Sequence, residues 1–176
     1  RPGERSEVRV GAGLYHQSQR IHELRIEDGD TAFRPAERSR HVDLAYLVRP
    51  TDRFKIRVDL YDRRLTALHP RFENLFSPTE LFPEAETDRV LIQPERAAFR
   101  GAELLLSGEP TPALQWWAGY TVSTARDYVA GRGVPRNWDQ THAVKLLFAY
   151  RWTRGWFLSL GGTIHTGWPT TPVSGE

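Results

Sequence analysis

Five side chains in two polar segments could do chemistry: Arg71 and Glu73 in one, Arg136, Trp138 and Asp139 in the other. Guanidinium forks, carboxylates and an indole suit contact with a bulky, charged ligand. They do not make a catalytic set. Ser107 and Ser123 lack the flanking glycines of a nucleophile elbow. His16, His22, His41, His69, His142 and His165 never fall at a tight metal-ligand spacing. The acidic pair Glu84 and Glu86 has no histidine or nucleophile beside it. The chain therefore reads as a binder rather than an enzyme, with no cofactor and no metal site.

The elements that must position these groups are strands. In residues 54–61, Phe54, Ile56, Val58 and Leu60 alternate with Lys55, Arg57, Asp59 and Tyr61. Strand side chains alternate faces with period two, so this segment has one apolar and one charged face. The same pattern predicts strands over residues 7–15, 41–49, 54–65, 98–107, 114–126, 142–152 and 156–167. One predicted face carries Val42, Leu44, Tyr46, Phe54, Ile56, Val58, Leu60, Leu104, Leu106, Tyr120, Leu146, Phe148, Leu158 and Leu160. The fold class is all-β, an antiparallel meander of about seven strands.

The connections alternate in length. Residues 50–53, 108–112 and 153–155 are tight turns, whereas 16–40, 66–96 and 127–141 are long. The 66–96 connection carries Pro70, Pro78, Pro83 and Pro94, which bar a central strand there. All long loops thus leave one end of the sheet, as in transmembrane barrels with short periplasmic turns and long extracellular loops. Tyr46, Trp116, Tyr120, Tyr150, Trp152 and Trp156 fall on the apolar face, several near strand ends, where ring girdles sit in such barrels.

Composition agrees. The 176 residues are 39% hydrophobic and 26% charged, with no apolar run long enough for a transmembrane helix. Lumen-facing residues dilute the hydropathy of a barrel strand, so this leaves a barrel open. The net charge of +2 argues against nucleic acid as a partner. There is no Cys and no Met, and the chain opens at Arg1, which reads as a mature or excised piece of a longer protein. Residues 1–176 are then one partial transmembrane β-barrel domain. Two other arrangements share the alternation: a small eight-stranded structural or adhesin barrel, and a soluble β-sandwich binding module.

Several segments choose among these. Glu37-Arg38-Ser39, residues 59–65, residues 71–76, Arg100-Gly101-Ala102-Glu103-Leu104, residues 134–142 and residues 165–172 resemble barrel segments of TonB-dependent outer-membrane receptors. The Arg-Gly-Ala-Glu strand and the Pro-Arg-x-Trp-Asp-Gln-x-His strand opening are the more specific. The resemblance implies a plugged barrel of about 22 strands in the bacterial outer membrane. It implies import of a scarce nutrient, a ferric siderophore by default, driven by the TonB, ExbB and ExbD complex. The partners implied are outer-membrane lipid, the siderophore, and TonB through a plug domain. No plug, TonB box or terminal aromatic is visible, so the piece resembles the later part of a barrel, cut before its last strands. On this reading Arg71, Glu73, Arg136, Trp138 and Asp139 are ligand-binding loop residues.

Overall fold

A computed structural model describes residues 5–24, 26–74, 76, 82, 85–153 and 155–169, without the side chains of 22 and 27. Its strands, in chain order, are β1 (Ser6–Gln17), β2 (Glu37–Thr51), β3 (Phe54–Thr66), β4 (Arg71–Asn74), β5 (Arg89–Ile92), β6 (Arg96–Thr111), β7 (Leu114–Val129), β8 (Arg132–Pro135), β9 (His142–Thr153) and β10 (Trp156–His165). Seven of them form one antiparallel meander in the order β1-β2-β3-β6-β7-β9-β10. Most strands run further than alternation alone marks, but β10 stops at His165, two residues short of the expected end. Pro50 and Pro110 are accommodated where the ladder is irregular, between Val48 and Thr51 and between Gly108 and Thr111, positions that need no donor from proline.

Two connections differ from the sequence expectation. The 66–96 segment holds a hairpin of its own, β4 with β5, outside the main sheet. The 127–141 segment is partly strand: β7 continues through Asp127 to Val129, and β8 folds back against it. Four-residue strands with no two-fold apolar pattern, such as Arg71-Phe72-Glu73-Asn74, escape a periodicity reading. The β7–β8 turn has Ala130 at φ 50° and Gly131 at φ 75°, the double left-handed pair of a two-residue hairpin, here without its usual Asn-Gly signature. Parts of the 66–96 loop, including Pro78 and Pro83, and residues 170–176 lie outside the described residues.

The register places every residue expected on the apolar face together. Tyr46, Val58, Leu104, Tyr120, Val144 and Ile164 form one cross-strand row, and Val48, Ile56, Leu106, Ala118, Leu146 and Gly162 the next. No second sheet or helix packs on this face among the described residues. Ala97 is their single buried hydrophobic residue, while Leu146 and Leu160 are 50% and 59% exposed. The opposite face carries Asp43, Arg57, Asp59, Arg63 and Glu103, with Arg57 and Asp59 paired at 2.7 Å. It borders a cavity of about 1030 Å³ lined in part by Arg9, Asp43, Tyr61 and Glu103.

The apolar band crosses the sheet obliquely. Its last members before the long connections are Leu14, Val42, Leu60, Ala102, Val122, Val144 and Ile164. Leu14 pairs with Arg40 and Val42 with Asp62; Leu60, Ala102 and Val122 share a row with His142; and Val144 pairs with Ile164. The boundary thus falls three rows over six strand-to-strand steps. With rows about 6.8 Å apart along the strand and strands about 4.8 Å apart, the band makes an angle of about 35° with the rows.

Candidate functional site

Beyond the band, the long connections build a cluster on β4, β7 and the segment after β8. The backbone sets it up locally. The Arg136 N–H donates to the Ala125 carbonyl at 2.9 Å, and the Asp139 N–H to the Arg136 carbonyl at 2.9 Å. Asp139 is buried, and its Oδ1 accepts the Ala125 N–H at 3.0 Å. This carboxylate ties the chain after β8 to the end of β7. Trp138, beside it, is 60% exposed.

Arg71, Glu73 and Arg136 come together around a residue that the sequence reading passed over as loop. Asp127 is 5% exposed and accepts hydrogen bonds from Arg71 and, at 3.0 and 3.1 Å, from Arg136 Nε. Glu73 accepts Arg71 Nε at 3.0 Å and Asn137 Nδ2 at 2.9 Å. The Arg136 guanidinium also lies 4.7 Å from the centroid of the Phe99 ring. Two cations and two carboxylates therefore balance in a half-buried network, the arrangement in which buried charge is tolerable. Burial works against the charge on Arg71, but hydrogen bonding to Asp127 and the charges of Asp127 and Glu73 outweigh it and hold its pKa above the usual value.

The first long connection joins the same assembly. The His69 N–H donates to Glu37 Oε1 at 2.7 Å, and His69 Nε2 donates to the Pro35 carbonyl at 2.8 Å. Buried Gln19 accepts the Arg34 N–H and donates to the Glu23 carbonyl. Arg89 on β5 reaches Asp28 at 3.2 Å. Between these parts lies a cleft of about 750 Å³ lined by Gln17, Gln19, Glu37, His69, Arg71 and Arg136 among others. Its walls offer amides, the carboxylates of Glu23 and Glu37, an imidazole and two guanidinium groups already committed to Asp127, beside apolar Leu65, Leu68, Phe72 and Phe82. That chemistry suits a polar ligand with several hydrogen-bonding groups. Among the described residues no His, Asp and Glu side chains group as a metal site.

The structure thus gathers Arg71, Glu73 and Arg136, leaves Trp138 on the surface, and uses Asp139 as a backbone cap. Sequence reasoning missed Asp127, Asn137, Glu37, His69 and Gln19. Asp127 was detectable, since it keeps the inward phase of β7 one step beyond the predicted end.

No family model and no curated protein sequence matches the chain. Among solved structures it is similar to the FpvAI–pyocin S2 complex and to P. aeruginosa FpvA bound to a heterologous pyoverdine with iron. Each similarity has a TM-score of 0.57 and 18% identity and covers 91% of this chain. The chain spans 21% and 20% of those two chains, so the likeness is to a section of a larger fold. At that identity what is shared is the fold: an antiparallel meander laid out like part of FpvA.

Proposed function

We propose that the chain is a section of the transmembrane β-barrel of a TonB-dependent outer-membrane receptor that takes up a ferric siderophore with energy from the TonB complex. The observation that carries this reading is the oblique apolar band. A sheet crossing a bilayer as a barrel wall tilts its strands by about 35–45°. The band that meets hydrocarbon must then run oblique to the hydrogen-bonded rows, and this one does, by about 35°. The one-sided long connections and the fold shared with FpvA support the same reading. A soluble sandwich would need a second sheet against the band, and the described residues provide none.

In this reading Arg71, Glu73, Arg136 and Trp138 belong to the extracellular recognition surface, Asp139 is the buried cap that holds it in place, and the 750 Å³ cleft is the groove into which part of the ligand fits. The test is uptake of radioactive iron on a panel of siderophores by cells carrying the complete parent protein, with and without TonB. TonB-dependent uptake of one ferric chelate is the expected result. A protein that fractionates as soluble, or one that sits in the outer membrane and moves no chelate, would overturn the proposal.

A further inference from the structure

The arginines in the wall of the 750 Å³ cleft are neutralised before any ligand arrives. Arg71 is paired with Glu73 and Asp127, and Arg136 with Asp127, so two positive charges meet two negative ones. The remaining charge in the wall is that of Glu23 and Glu37. Glu37 opens β2 on its charged face, directly across from Gln17 on β1, and its side chain is 22% exposed. Its Oε1 accepts the His69 N–H at 2.7 Å. Half-buried Glu23 accepts the Arg20 N–H through Oε2 at 2.9 Å. Each carboxylate keeps its second oxygen free of protein donors among the described residues.

Neither carboxylate has an arginine or lysine partner among the described residues. The basic group nearest Glu37 is the His69 imidazole, whose Nδ1 lies 3.9 Å away and whose Nε2 donates to the Pro35 carbonyl. Arg38, next in sequence, belongs to the other face of β2. On the same long connections and strand ends, Asp28, Asp30, Glu73 and Asp127 each hold an arginine. A partly buried carboxylate without a counter-charge is costly, and a cation entering the cleft would relieve that cost. An anion entering it would meet two negative charges with no guanidinium left to answer it.

The rest of the wall narrows the kind of cation. Leu65, Leu68, Phe72 and Phe82 lie beside the two carboxylates. Apolar side chains suit a methylene stem, and aromatic faces attract an ammonium group. A metal ion needs more ligands than this wall supplies, since no three His, Asp and Glu side chains group as a metal site among the described residues.

We infer that the cleft takes an alkylammonium group, the aminoalkyl arm of a larger ligand, with Glu37 and Glu23 as its counter-charges. The inference rests on the reading of this cleft as the ligand groove and names the chemistry of the part that enters it. Arg71 and Arg136 shape the wall and do not contact an anion.

The experiment uses saturation-transfer NMR on the detergent-solubilised complete parent protein with three probes that share one backbone. They are the N-acetyl methylamides of lysine, norleucine and glutamate. Expected is millimolar binding of the lysine probe, about tenfold tighter than the norleucine probe, and no binding of the glutamate probe. Glu37→Gln keeps an acceptor for the His69 N–H but removes the charge. It should weaken the lysine probe about tenfold, as should Glu23→Gln. Glu103→Gln, in the neighbouring cavity, leaves binding unchanged. Equal binding of the lysine and norleucine probes, glutamate binding as tight as lysine binding, or no lysine binding at millimolar concentration would each overturn the inference. So would heat-modifiable Glu37→Gln and Glu23→Gln variants that both bind like wild type. These results leave the transporter reading standing. The expected probe pattern without TonB-dependent uptake of any chelate would remove the transporter reading and keep the ammonium site.

Discussion

The ring of Tyr61 lies across Gly101, its partner on the neighbouring strand: a methyl group on Gly101 would meet the phenol oxygen at 2.5 Å and the ring carbon bearing it at 2.6 Å. The glycine of the Arg-Gly-Ala-Glu strand is therefore a seat for an aromatic ring, the cross-strand cover that β-proteins give to sheet glycines. Gly101→Val should push the ring aside and cost about 0.2–1 kcal/mol, the worth of a cross-strand pair. Gly119→Ala, where the nearest atom is 3.6 Å away, should be tolerated. Combining Gly101→Val with Tyr61→Ala should cost less than the two singles added, measured by loss of heat-modifiability in urea. Strict additivity would show that the ring and the glycine are not coupled.

Asp127 should behave as the latch of the long-connection end. Asp127→Ala leaves Arg71 and Arg136 half-buried without their shared carboxylate, at a local cost of about 3 kcal/mol. The expected result is faster proteolytic cleavage in residues 66–96 with the strand core still resistant. Unchanged cleavage would mean the loops are held elsewhere. Alkaline titration should not mimic the mutation. A pKa raised in the folded state gives stability that is lost only as pH rises through the folded value, and for Arg71 that lies above the already strongly basic value of an ordinary guanidinium.

Trp138 and Asp139 are adjacent and should separate cleanly. Trp138→Ala removes an exposed ring and should weaken ligand binding with no change in folding. Asp139→Ala removes the acceptor of the Ala125 N–H and should cost about 1–2 kcal/mol of stability, the penalty for orphaning a buried donor. Binding isotherms and urea midpoints on the parent receptor distinguish the two. Loss of binding from Asp139→Ala without any shift in midpoint would move Asp139 into the ligand site.

On the strand itself, Ile56→Arg should impair assembly, because it sets a charge in the middle of the apolar band at about 2–4 kcal/mol. Arg57→Ala, one residue away on the other face, should be close to neutral. Yield of heat-modifiable barrel in outer membranes is the measurement. Equal yields would invalidate the assigned faces.

Deleting residues 66–96 from the complete receptor should abolish high-affinity ligand binding and leave the barrel folded. The deletion takes Arg71 and His69 from the cleft, removes Glu73 from the network beside it and leaves Asp127 without its Arg71 partner. Unchanged affinity would exclude this hairpin from the site.

The meander and its faces were legible because strands such as β3 alternate without interruption over residues 54–61, and lateral pairing only repeats that phase. The hairpin β4–β5 was not legible, since four residues cannot display a period and part of its stability comes from Arg71 reaching Asp127, 56 positions away. Arg71, Glu73 and Arg136 were singled out by residue type, but their association depends on where β7 ends. Alternation marks that point poorly, because Arg126, Asp127 and Tyr128 are polar or amphipathic on both faces. Asp139 looked like a ligand group for the same reason that it makes a good cap, since a carboxylate serves either purpose.

The oblique band also fixes how such a wall can close. A fall of three two-residue rows over six steps is a shear of about one residue per strand, so strand number and shear stay nearly equal as strands are added. Because side chains alternate, total shear must be even, and deleting one residue from the middle of any one strand would turn the rest of that strand inside out. Length changes in this wall therefore belong in the connections, such as residues 18–36 between β1 and β2.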